Sequence, residues 1–138
     1  MMLFTEVRGL PVVPPDESGP LGTVTSLTVD MVSGTVSHVR FRGSRFGGET
    51  VLPWESVDTF GPGAVRVGSI GAVESVRPHH DLLGRRILTD TGTGHGTVLD
   101  VAFDTGTGRL LAVFTTRGEL PADRLLGLGD YALVVRAG

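Results

Sequence analysis

The same sequence pattern occurs twice in the chain, and this internal repeat constrains the fold more than any other feature. The first copy spans residues 21–34 and the second spans residues 95–108. The matching anchors are 74 positions apart: Gly22/Gly96, Val24/Val98, Leu27/Val101, Val29/Phe103, Asp30/Asp104 and Gly34/Gly108. Self-similarity of this kind indicates a duplicated structural unit. Each unit of a 138-residue chain buries only a thin core, so we expect the two units to pack together.

The spacing of apolar residues within the repeat predicts bent strands. Val24, Leu27 and Val29 are three and then two positions apart, and the second copy has the same spacing. A regular strand repeats every two residues, so one extra residue predicts a β-bulge near residues 25–26 and near residues 99–100. Small barrels use such bends to close.

Each copy ends in an aspartate followed by a glycine four residues later. Asp30 and Asp104 are suited to capping a hairpin turn, with Gly34 and Gly108 in the left-handed conformation. A catalytic carboxylate pair would require the two aspartates to converge. We expect them to lie on separate units, and we assign them a structural role.

The flanking segments complete an all-β prediction. Residues 10–13 form a short first strand, and residues 36–42 and 110–116 are returning strands rich in β-branched residues. Pro53 and Pro121 each stop a strand before a single helical turn. We therefore predict two tandem barrels of about six strands each, with residues 1–68 as the first repeat, 69–81 as a connector and 82–138 as the second repeat.

The copies diverge in one loop. From Pro53 and Pro121 onward the anchors are 68 positions apart, so the first copy carries six extra residues, within 43–48. Arg40, Arg42, Arg45 and Phe46 lie in or beside this insertion. Arginine with an exposed aromatic residue suits a protein interface, and also suits phosphate binding with base stacking. Alternatively, strand alternation sends Phe41 inward and both Arg40 and Arg42 to water.

The ordered motifs resemble the PRC-barrel family. The resemblance rests on Leu21-Gly22-Thr23-Val24, on Val29-Asp30 with Ser33-Gly34, and on residues 52–57 and 64–65, with counterparts in the second copy. This family of small β-barrels includes the cytoplasmic domain of the photosynthetic reaction-centre H subunit and the carboxy-terminal domain of the ribosome maturation factor. The resemblance implies an adaptor or assembly module with no shared catalytic residues.

These observations predict a non-enzymatic scaffold that docks a protein partner. The expected partner-binding residues are Arg40, Arg42, Arg45, Phe46 and Trp54, the last of which also suits a barrel plug or a place between the copies. The alternative is an RNA-processing or ribosome-assembly factor, although a net charge of -3 disfavours nucleic acid.

Other chemistries find little support in the sequence. The chain has no cysteine, and no serine lies in a recognisable nucleophile elbow. His79, His80 and Asp81, with His38 or His95, are the residues suited to a metal, but adjacent side chains on an extended chain point apart. We expect no catalytic, cofactor-binding or metal-binding residues.

The choice of basic residues and the absence of long apolar runs indicate the source and the location of the protein. All 12 basic residues are arginine, which we interpret as codon bias in a GC-rich bacterial genome. The first residues lack the features of a signal peptide, and no apolar run approaches the roughly 18 residues of a membrane span. We expect a cytoplasmic protein without membrane insertion.

Overall fold

The computed structural model describes residues 1–16, 18–43, 48–68 and 81–137. The first half comprises β1 (Met2–Leu3), α1 (Phe4–Val7), β2 (Pro11–Val13), β3 (Gly22–Asp30), β4 (Thr35–Gly43), β5 (Gly48–Pro53), a 3₁₀ turn (Trp54–Ser56), β6 (Val57–Phe60) and β7 (Val65–Val67). The second half comprises β8 (Arg86–Thr89), β9 (Gly94–Phe103), β10 (Leu110–Thr115), β11 (Gly118–Pro121), a second 3₁₀ turn (Ala122–Arg124), β12 (Leu125–Leu128) and β13 (Leu133–Val135).

The strands form two sheets of the same topology. One has the order β5-β4-β3-β2-β7-β6, and the other has the order β11-β10-β9-β8-β13-β12. The pairs β2–β7 and β8–β13 are parallel, whereas the other neighbours are antiparallel. Over the described residues, hydrogen bonding closes neither sheet into a complete barrel. The predicted all-β class with two barrel-like units is confirmed.

Both predicted bulges are present in the long strands. Val24 lies opposite Phe41 and Ser26 opposite Arg40, so Thr25 is the extra residue of β3. In β9, Asp100 and Val98 lie opposite consecutive residues of β10, so Leu99 is extra. A second pair of bulges, at Ser37 and Leu111 on the returning strands, was not predicted. Because these bulges occur at equivalent positions, both sheets bend in the same way.

The amino-terminal segment joins the second sheet rather than the first. Met2 and Leu3 pair with Phe103 and Ala102 of β9, antiparallel. The short helix that follows buries Phe4 and Val7. The sequence did not predict this crossover, and it ties the start of the chain to the second unit.

One continuous apolar core connects the two sheets, as expected for units this small. At its centre Phe103 of β9 contacts three rings in edge-on geometry, with centroid distances of 5.6 Å to Phe4, 5.5 Å to Phe60 and 6.4 Å to Trp54. Phe60 lies in β6 and Trp54 in the 3₁₀ turn before it, so this aromatic cluster spans both units. Edge-on contacts of this kind add to the stabilisation from burial itself.

We expect Phe4→Ala to lower the free energy of unfolding by about 3–5 kcal/mol, the usual range for removing a buried phenylalanine. Phe4 is 3% exposed, so its removal leaves a cavity beside Phe103. Chemical denaturation measures the effect. The control is Tyr131→Ala, an 86% exposed aromatic residue, for which we expect a change within about 0.5 kcal/mol. Equal effects of the two variants would contradict the assigned role of Phe4.

Candidate functional site

The two predicted hairpin turns have the expected geometry. The Asp30 carboxylate accepts the backbone N–H groups of Val32 at 2.9 Å and Ser33 at 3.3 Å. The Asp104 carboxylate accepts those of Gly106 and Thr107 in the same way. Gly34 and Gly108 have φ values of +70° and +80°. The aspartates and glycines therefore hold the turns, as predicted, and the hydrogen bonds from Thr107 and Gly106 lower the pKa of Asp104.

The turns bind each other through their backbones. Val36 N–H donates to the Gly108 carbonyl at 2.8 Å, and Leu110 N–H donates to the Gly34 carbonyl at 2.9 Å. Thr35 and Arg109 form the β-bridge between these bonds. We call this contact the seam, residues 34–36 with residues 108–110. It is reciprocal, because each turn contributes one donor and one acceptor.

A cleft lies on one side of the seam, and Trp54 forms one of its walls. The ring of Trp54 stacks on Phe60 with a centroid distance of 5.1 Å and an interplanar angle of 22°. The indole also packs against Gly108, where an added Cβ would lie 3.2 Å from it. This first cleft has a volume of about 460 Å³, and Asp30, His38 and Glu55 provide polar groups. Trp54 therefore lies partly buried between the copies, one of the two placements expected for it.

A second cleft, of about 210 Å³, lies on the other side of the seam. Its lining includes the apolar residues Met31, Leu110, Ala122 and Leu125, although polar groups form the larger share of its exposed surface. Val32, Arg109 and Asp123 also line it, and all three are exposed. Val32 is fully exposed at the tip of the first turn. The sequence did not predict this cleft. It does show that the first copy has Trp54 where the second copy has Ala122.

Arg40 is buried, contrary to the expectation that strand alternation sends it to water. It is 5% exposed and forms an ion pair with Glu49 of β5. Glu49 also accepts a hydrogen bond from Thr25 Oγ1 at 2.8 Å. The expectation fails because alternation along β4 takes no account of β5, whose Glu49 pairs with the guanidinium and so allows its burial. The hydrogen bond from Arg40 holds the pKa of Glu49 below its usual range.

The other predicted partner-binding residues are not brought together. Arg42 is exposed, four residues along β4 from His38, which is about 13 Å in a strand. Trp54 lies near the His38 end, in the first cleft. Arg45 and Phe46 fall outside the described residues. The role of these residues in partner binding therefore stays a prediction.

The structure does not bring together the residues that were considered as metal ligands. His79 and His80 lie outside the described residues, while Asp81 forms an ion pair with Arg8 at 3.4 Å. In the part of the chain that the structure describes, no three His, Asp or Glu side chains are grouped to hold a metal ion.

The carboxy-terminal half of the chain matches a known family. Residues 74–138 match the family model of the PRC-barrel domain. This part of the chain is therefore similar to a PRC-barrel domain. The matched range includes all strands from β8 to β13, and with them the second turn of the seam and most of the second cleft. No curated protein matches the chain. Within the described ranges, no helix is long and apolar enough to span a membrane.

Substitution of the two turn glycines tests the seam. We expect Gly34→Ala and Gly108→Ala each to lower the free energy of unfolding by about 1 kcal/mol or more, because both residues have positive φ. Gly108→Ala should cost about 1 kcal/mol more, since its methyl group meets Trp54 whereas the space beside Gly34 is open.

The matched control repeats Gly108→Ala in a Trp54→Ala background. There the cost of Gly108→Ala should fall to that of Gly34→Ala, as measured by a double-mutant cycle of unfolding free energies. An unchanged cost would show that the indole does not restrict this position.

The ion pair of Arg40 and Glu49 predicts a pH dependence. We expect Glu49→Gln to lower the free energy of unfolding at pH 7 by about 1–3 kcal/mol, since it replaces the carboxylate that pairs with a buried guanidinium by a neutral amide. The pKa of Glu49 is lowered in the folded state, so its contribution is complete above the ordinary glutamate pKa of about 4.3 and is lost as the pH falls through the folded-state pKa.

Denaturation of both proteins between pH 7 and pH 2 measures this effect. The difference between wild type and Glu49→Gln should shrink toward zero at the acid end. The exposed residue Glu119 serves as the control, and Glu119→Gln should change stability little at any pH. A pH-independent difference for Glu49→Gln would contradict the ion-pair assignment.

Proposed function

We propose that the chain is a non-enzymatic binding module that docks a protein partner through the face containing the seam. A PRC-barrel domain supplies a small β-barrel module, and the first half adds a sheet with the same strand order. We further propose that this first sheet is a second unit of the same type. The support is its identical strand order and its equivalent bulges and turns.

The observation that carries the proposal is the apolar tip of the first turn. Both turns require only the aspartate and the glycine, and the second has Thr105 and Gly106 between them. The first turn has Met31 and Val32 instead, and Val32 is fully exposed next to the second cleft. Apolar side chains at such a tip contribute nothing to the turn geometry. Met31 packs against the core, and Val32 beside the second cleft forms an exposed apolar contact point suited to a protein partner.

The test combines partner capture with a surface variant. We expect the tagged protein to retain a partner from native lysate, identified by mass spectrometry, and to retain it after nuclease treatment. Val32→Ser should reduce retention at least about tenfold without changing the melting temperature. Leu99→Ser is the matched control, since Leu99 is 57% exposed on the bulge of β9, and its retention should equal that of wild type.

Two results would count against the proposal. Equal retention by Val32→Ser and Leu99→Ser would exclude the face containing the seam. Loss of the captured material on nuclease treatment, with a steep fall in binding between low and moderate salt, would instead favour the RNA-processing or ribosome-assembly alternative.

A further inference from the structure

The two sides of the seam are equivalent in backbone but not in side-chain volume. Beside the first cleft, Trp54 and Phe60 of the first unit contact Phe103 of the second. The equivalent positions on the other side are Ala122, Leu128 and Val29. All three aromatic residues are therefore replaced by smaller aliphatic ones.

The second cleft lies at the position that an indole fills on the first side. An added Cβ on Gly108 would lie 3.2–3.3 Å from atoms of Trp54, whereas one on Gly34 would meet nothing within 4 Å. Ala122 and Trp54 both begin equivalent 3₁₀ turns. The space beside Gly34 is thus the counterpart of the space that Trp54 occupies beside Gly108. The cleft volume of about 210 Å³ exceeds the roughly 150 Å³ of a cavity that holds benzene.

We propose that the second cleft binds an aromatic side chain, tryptophan or phenylalanine, presented by the protein partner. This inference rests on the proposed function and names the chemistry of its contact. The floor is apolar, since Leu110 is 2% exposed and Ala122 and Leu125 pack against the core. Trp54 in the first cleft shows what this backbone arrangement accommodates.

The charge at the rim also suits an aromatic guest. Arg109 is exposed and lines the second cleft, whereas the equivalent residue at the first cleft is Thr35. A guanidinium is attracted to the face of an aromatic ring, most strongly that of tryptophan. The cleft thus offers an apolar floor with one cation, Arg109, and one carboxylate, Asp123, in its lining. The guanidinium favours an aromatic over an aliphatic side chain on its side of the cleft.

The test uses indole as the probe and amide NMR as the readout. We expect indole to produce saturable shift changes at Gly34, Ala122 and Leu125 of the wild-type protein. Ala122→Trp supplies the missing ring from the chain itself, so it should weaken indole binding at least about tenfold. The matched control is Trp54→Ala, which should keep binding at the second cleft and add a new set of shifts beside Gly108.

The outcomes separate this inference from the proposed function. Absence of localised shifts up to the solubility of indole, or shifts unaffected by Ala122→Trp, would overturn the aromatic site while leaving partner capture intact. If indole binds in the second cleft but Val32→Ser does not reduce capture of a protein partner, the proposed function alone would be overturned. Should Ala122→Trp fail to fold, Leu125→Glu tests the same cleft by placing a charge in its wall, with the same expected loss.

Discussion

The reciprocal hydrogen bonds of the seam hold the two sheets in one arrangement. Val36 and Leu110 are 3% and 2% exposed, so a shift of one turn against the other that does not admit water would leave their amide groups without a partner in an apolar setting. An unsatisfied buried amide costs about 1–3 kcal/mol, which is more than the bond itself contributes. The acceptor of each bond is the carbonyl of a glycine with positive φ. The turn geometry that the repeat encodes is therefore also the geometry that joins its two copies.

A shared backbone arrangement leaves the side chains beside it free to differ. The repeat retains the aspartates, glycines and prolines in both copies because turns and strand ends depend on them. The residues flanking the seam have no such role. On one side they form an aromatic cluster that adds burial between the sheets, and on the other they are smaller aliphatic residues beside the second cleft. With the binding site that we propose, stabilising contacts and partner binding would lie on opposite sides of the same contact.

The local features of the fold were predictable because they depend on short sequence spacings. The bulges at Thr25 and Leu99 and the positive φ of Gly34 and Gly108 follow from residues a few positions apart. The pairing of β1 with β9 was not predictable in this way, since it joins Met2 to Phe103 across the length of the chain. Likewise, the burial of Arg40 depends on Glu49 in a neighbouring strand, and the alternation of residues along a single strand does not predict such a pair.

The candidate site was predictable only as a difference between copies. Alignment of the repeats shows Ala122 where the first copy has Trp54, but not that both positions flank one seam. Both positions flank one seam only because the two turns contact each other, and the sequence does not predict that contact. Because the second cleft is lined by Gly34 of one unit and Ala122 of the other, a guest held there contacts both units at once. A ligand that binds only the folded state stabilises it in proportion to its occupancy. A partner residue bound in this cleft, as we propose, would therefore oppose separation of the two sheets and make the seam more stable in the complex than in the free protein.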